Sequence, residues 1–177
     1  MSSSDIPFHS PTYGQLTEPA VVGRIRSFIV AQHHRAYRLI IGSDSLPSNG
    51  SGSYLVTAVV LHRVGNGGIY FWHRTMKRGL HSLRERMYAE ALASINMAQR
   101  LEKSPALQKL IKSNLEIHVD VGEEGPTREM IHEIVGMIVG YGYSAKIKPD
   151  SFAASKVADR HTIPVPRLAF AEVAAQQ

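Results

Sequence analysis

Apolar residues fall at Val21, Val22, Ile25, Phe28 and Ile29, the spacing of a helix with one buried face, so the pattern predicts a helix over Glu18–Gln32. Thr17 stands where a capping residue belongs and Pro19 lies in the first turn. The residues before it, Met1–Gly14, mix Ser, Pro and Gly without a period and are expected to be a flexible arm over positions 1–14. Tyr37–Ser43 reads as a buried strand. It runs into Gly42-Ser43-Asp44-Ser45, expected to be a small-residue turn presenting Asp44. Ser48–Ser53 is a loop by composition. Tyr54–Arg63 and Ile69–Arg74 read as strands. They are joined at Gly65-Asn66-Gly67-Gly68 by a hairpin turn.

Farther along, Ser82 caps a helix reaching Glu102, with Leu83, Met87, Ala91, Ile95 and Ala98 as its buried stripe. Ala106–Lys112 predicts a short helix. Leu115–Val121 predicts a fourth strand on which Glu116, His118 and Asp120 face one way and Leu115, Ile117 and Val119 the other. A helix starting at Gly125–Pro126 and ending at Gly142 follows. After it come a fifth strand, Tyr143–Lys148, and a last helix from Asp150 or Ser151 to Arg160. This order predicts a mixed five-stranded α/β sheet, a three-strand meander plus two parallel strands, with helices on both faces. One domain is expected over residues 15–162, with a tail at 163–177.

Composition narrows the chemistry. A chain of 177 residues, 44% hydrophobic and 20% charged, is long enough to bury one sizeable core. The absence of cysteine excludes disulfides, thiolate metal sites and cysteine nucleophiles. With neither a signal-peptide pattern nor a membrane-length apolar run, the protein is expected to be cytoplasmic. The net charge of +5 and pI near 9.6 favour polyanionic partners. Arg74, Lys77, Arg78, Arg84 and Arg86 crowd together against Glu85 alone. That run reads either as a solvated surface or as a phosphate-contacting loop for nucleic acid. Lys146 and Lys148 alternate on the fifth strand and have the same two readings. No P-loop, dinucleotide fingerprint, nucleophile elbow or zinc motif is present. In Gly122-Glu123-Glu124-Gly125 two acids oppose any phosphate.

Five short motifs stand in order: Ile41-Gly42-Ser43-Asp44-Ser45, His118-Val119-Asp120-Val121-Gly122, Ile147-Lys148-Pro149-Asp150-Ser151, Ala153-Ala154-Ser155 and Val157-Ala158-Asp159-Arg160-His161-Thr162. With the element order they resemble the YkuK family of uncharacterised bacterial proteins, whose fold is ribonuclease H-like; the likeness covers Thr17–Thr162. Nucleases of that fold use an Asp on the first strand, a Glu on the first long helix, an Asp ending the fourth strand and an acid at the last helix. The resemblance therefore implies Asp44, Glu90, Asp120 and Asp159 as catalytic metal ligands. Glu85 is the rival to Glu90 and is read as a surface ion-pair partner. Asp150 is the rival to Asp159 and is read as a helix cap. Nine residues apart on one helix, Asp150 and Asp159 would point oppositely. Hard carboxylate oxygens suit Mg²⁺ or Mn²⁺, one ion or two. Arg74, Lys77, Arg78, Arg84 and Lys148 are the implied nucleic-acid contacts. The implied function is a divalent-metal nuclease acting on RNA, an RNA/DNA hybrid or structured DNA. The competing expectation is a catalytically silent nucleic-acid-binding module.

Overall fold

A computed structural model describes residues 7–46, 52–124 and 127–162. The tail at 163–177, the helix start at Gly125–Pro126, most of the expected arm's first half and most of the Ser48–Ser53 loop lie outside the described residues. Strands β1 (Phe8–Ser10), β2 (Gly14–Leu16), β3 (Tyr37–Leu46), β4 (Ser53–Arg63), β5 (Gly68–Lys77), β6 (Leu115–His118) and β7 (Ser144–Lys146) form a seven-stranded sheet in the order β2-β1-β5-β4-β3-β6-β7. The meander β3-β4-β5 is antiparallel, and β6 and β7 continue parallel to β3.

The sheet therefore has two strands more than expected. They come from the stretch read as a loose arm: Phe8 to Leu16 folds back as a hairpin against β5. Phe8 is fully buried and its ring lies 5.0 Å from that of His73. His9 stacks on Trp72 at 4.6 Å. Three-residue strands are too short to show alternation, and one aromatic anchor holds the hairpin instead.

Strand lengths also shift. β3 does not stop at Ser43 in a turn. β4 supplies partners as far as Leu46, with Ser43 opposite Thr57, Asp44 opposite Val56 and Ser45 opposite Leu55. Asp44 is thus held inside a paired strand. β5 extends to Lys77, so Arg74 and Lys77 are strand residues and not members of a loop. β6 is shorter than expected, and Asp120 lies just past its end.

The helices are α1 (Glu18–Ala31), α2 (Leu83–Glu102), α3 (Gln108–Asn114), α4 (Ile131–Gly140) and α5 (Phe152–Thr162). Thr17 stands at the start of α1 without a side-chain capping bond. α2 opens on a capping box: the Glu85 N–H donates to the Ser82 hydroxyl, and the Glu85 carboxylate accepts from the Ser82 backbone N–H. Glu85 is therefore a helix-capping residue rather than an ion-pair partner. None of the described helices is long and apolar enough to cross a membrane.

The two sheet faces differ sharply. Leu39, Ile41, Val59, Leu61, Phe71, Ile117 and Val119 join Val21, Ile25, Ile95, Met97, Ile111, Ile134 and Ile138 in one core, which places α1, α2, α3 and α4 over the same face. Across the sheet, Val56, Ala58, Trp72, Val157 and Ala158 make a small separate cluster beneath α5.

Candidate functional site

Successive strand residues point to opposite faces, and β3 uses this at its C-terminal end. Ser43 and Ser45 point toward α2. The Ser43 hydroxyl lies 2.9 Å from both the Thr57 and the Ser94 hydroxyls, and the Ser45 hydroxyl donates to Glu90 Oε1 at 2.6 Å. Asp44, between them, points toward α5, where the Thr162 hydroxyl sits between its carboxylate and the Asp159 carbonyl. Glu116 and His118 come from the next parallel strand, β6, on this same face, and Asp120 follows just past its end.

Burial and neighbouring charge raise the carboxyls of Asp44 and Glu90. Burial is the main reason the Asp44 carboxyl is pushed up to about 6, and the negative charges of Asp159 and Asp120 add to the rise. Hydrogen bonds from Thr162 and the Ser45 backbone hold it down in part. Glu90 is 3% exposed. Its burial pushes the carboxyl up to about 8, with the Ser45 bond opposing and the Asp44 charge adding. Asp120 carries its own counter-ion: Lys148 Nζ lies 3.0 Å from Asp120 Oδ1. Asp159 is exposed on α5.

α5 is docked by aromatic contacts. The His161 ring stacks on Trp72 at 4.3 Å, and an Arg74 guanidinium N–H donates to the His161 carbonyl. Arg74 also lies over the Tyr54 and Trp72 rings. The structure thus places Arg74 as a clamp on the end of α5. Arg84 is engaged as well, by Glu133 and Tyr88. Lys77 and Arg78 are exposed at the far end of β5.

Asp150 lines a cleft of about 480 Å³ with Arg38, Ile40, Tyr70, Glu116, His118 and Lys146. The His118 imidazole Nε2 is 3.2 Å from Glu116 Oε2, and burial lowers its basicity while Glu116 supports it. This fits a hydrogen-bonded structural histidine. Sequence reasoning missed Thr162 and Ser45 as partners of the acids. Ser45 was open to inference, because its place next to Asp44 on one strand requires opposite directions.

The donor chemistry fits a hard divalent cation: the oxygens are carboxylates, and Asp44 carries a mutual repulsion that a cation would relieve. Asp44, and with it Asp120 and Asp159, whose charges act on it, are the residues that would have to hold it, while Glu90 lies on the α2 side with Ser45. As arranged, no three His, Asp or Glu side chains among the described residues stand close enough to hold a metal. Strand alternation sends Ser45, and Glu90 with it, to the face opposite Asp44.

Comparison with known proteins agrees with the topology. The Ribonuclease H-like family model matches residues 20–163. The chain is also 31% identical over 169 residues to the uncharacterized protein YkuK of Bacillus subtilis (strain 168), covering 88% of this chain and 96% of that one. No solved structure matches.

Proposed function

Since the chain belongs to the ribonuclease H-like family, we propose that it is a divalent-metal-dependent nuclease. It would hydrolyse phosphodiesters in RNA, an RNA/DNA hybrid or structured DNA. The observation that carries this reading is the placement of a half-buried Asp44 inside the paired β3 strand of this fold, where burial raises its carboxyl and the charges of Asp159 and Asp120 add to the rise. A half-buried carboxylate with acidic neighbours is favoured in its charged form by a bound cation.

A bound Mg²⁺ or Mn²⁺ would supply Lewis acidity toward the phosphate and an activated water. The chain's residues do the rest. Asp44, fixed between paired strand residues, presents a carboxylate that is protonated only below about pH 6. Asp120, just past the end of β6, and Asp159, on α5, add their negative charge at Asp44. The Ser45 hydroxyl holds the Glu90 carboxyl in one orientation. Exposed Lys77 and Arg78 meet the phosphate backbone.

The test is cleavage of labelled RNA, hybrid and duplex substrates with Mn²⁺, with Mg²⁺ and with chelator. Wild type is expected to cleave at least one substrate only when metal is present. Asp44→Asn should lower the rate by about 10³-fold, on the order of 4 kcal/mol, while keeping its melting temperature. Metal-independent cleavage, or full activity in Asp44→Asn, would overturn the reading.

A second reading has its own support in the lack of three acids placed to hold a metal among the described residues. On that reading the protein is a catalytically silent nucleic-acid-binding module. It predicts binding without turnover and no effect of Asp44→Asn on affinity.

A further inference from the structure

A cleft of about 700 Å³ runs between α2 and the residues of β4 and β5 that face it. Thr57, His73 and Thr75 form its sheet wall, and Ala93 and Met97 its apolar helix wall. Asn96, Gln99, Arg100 and Lys103 complete the lining, and no acid is among the lining residues. Thr57 meets the Ser43 hydroxyl, so the cleft is on the side of the sheet opposite Asp44. His73 is 7% exposed, and its Nδ1 is buried with no hydrogen-bond partner among the described residues. Such atoms are rare in native structures. On its far side the ring meets only the apolar ring of Phe8. Burial, helped by the Arg100 charge, pushes the imidazole down to about 4, so near neutral pH it offers one N–H and one lone pair. Arg100 is paired with Glu18, but one carboxylate does not use all the donors of a guanidinium. Lys103 is exposed at the end of α2. Cations at a helix C-terminus also answer the helix dipole, but the dipole does not explain a buried imidazole left without a partner.

We propose that this cleft binds a nucleoside monophosphate. Its volume lies in the range of small-molecule sites, and its lining of cations, amides and apolar side chains without a carboxylate suits an anion with an apolar body. Arg100 and Lys103 take the phosphate, the first by its planar fork and the second as a point charge. Ala93 and Met97 meet the flat face of the base, and a thioether packs well on an aromatic ring. Asn96 and Gln99 follow one another on one face of α2 at helical spacing. Each amide pairs a donor with an acceptor, which is the pattern of a base edge. The nucleotide also gives the His73 ring the polar partner it lacks. The inference does not rest on the metal-dependent reading, because none of these residues is one of the acids and the ligand needs no cation.

The experiment titrates the full, isotope-labelled chain with adenosine 5′-monophosphate in the presence of a chelator. Nuclear magnetic resonance follows the His73 ring and the Asn96 and Gln99 side-chain amides. Inorganic phosphate and ribose 5-phosphate are the truncated probes. The nucleotide is expected to shift all three groups with a Kd below about 1 mM, and both truncated probes should bind more weakly. Ala93→Leu fills the cleft and Lys103→Gln removes a charge from its rim; each should weaken binding about tenfold. Lys103 is a surface position, so the second variant carries the test should the first misfold. No shift at His73, or wild-type affinity in Lys103→Gln, overturns the inference. Inorganic phosphate binding as tightly as the nucleotide overturns it too, because the apolar wall and the amides would then contribute nothing. Each of these results leaves the cleavage assay with Mn²⁺ or Mg²⁺ to be decided on its own.

Discussion

The two faces of β3 solve different problems with the same strand. Toward α2, Leu39 and Ile41 enter a continuous apolar core, and the polar residues that follow, Ser43 and Ser45, are satisfied by Thr57, Ser94 and Glu90. Toward α5, the covering layer is one helix over a few apolar residues, and Asp44, near the strand's end, feels the charges of Asp159 and Asp120. Stability is concentrated on the first face and unrelieved charge on the second. A site that must admit a cation and a polyanion is better placed where the packing is thin.

The contrast can be broken most strongly in the core. Ile41→Ala, at a fully buried position, should cost about 2–5 kcal/mol of unfolding free energy. Asp44→Asn, three residues on, should be neutral or slightly stabilising, because it removes a desolvated carboxylate from among like charges. Urea denaturation of the two variants checks this; equal losses would erase the distinction between the faces.

The next effect is in pH. Glu90 rises from an ordinary 4.5 to about 8, so between those values the folded protein holds a proton that the unfolded chain releases. Its stabilising contribution is whole below about pH 4.5 and is lost as pH rises through 8. Asp44 acts in the same direction from 3.8 to about 6. The Glu90 effect is on the order of a few kcal/mol. Glu90→Gln should therefore flatten the fall in melting temperature between pH 5 and 8, and a slope unchanged from wild type would contradict the assigned burial. Mn²⁺ binding near pH 7 should release protons, seen as a buffer-dependent heat in calorimetry.

Much of this was legible in the sequence. The apolar periods gave the helix order, the hairpin and the alternation of Glu116, His118 and Asp120 against Leu115, Ile117 and Val119. What the periods could not supply was partnership across the chain. Asp44 reads as a turn residue until β4 is known to pair with it as far as Leu46. The Phe8–Leu16 hairpin depends on contacts with β5, more than fifty residues away. The basic run from Arg74 to Arg86 looked uniform, but a linear sequence does not show that Arg74 faces α5 and that Glu133 meets Arg84.

That division of the basic run gives the smallest effects. Arg84→Gln removes an exposed pair and should change stability by about 0–1 kcal/mol. Lys77→Gln with Arg78→Gln should leave stability alone. The double variant should weaken nucleic-acid binding and lower the slope of log affinity against log salt by about 2. If Arg84→Gln reduced that slope as much, the split between engaged and available cations would be wrong.

Anomalous diffraction from crystals soaked in Mn²⁺ asks most directly whether acids carried on separate elements serve a shared ion. The account predicts a peak bonded to Asp44 together with Asp120 or Asp159. No anomalous density at Asp44, with its carboxylate still against Thr162, would contradict it.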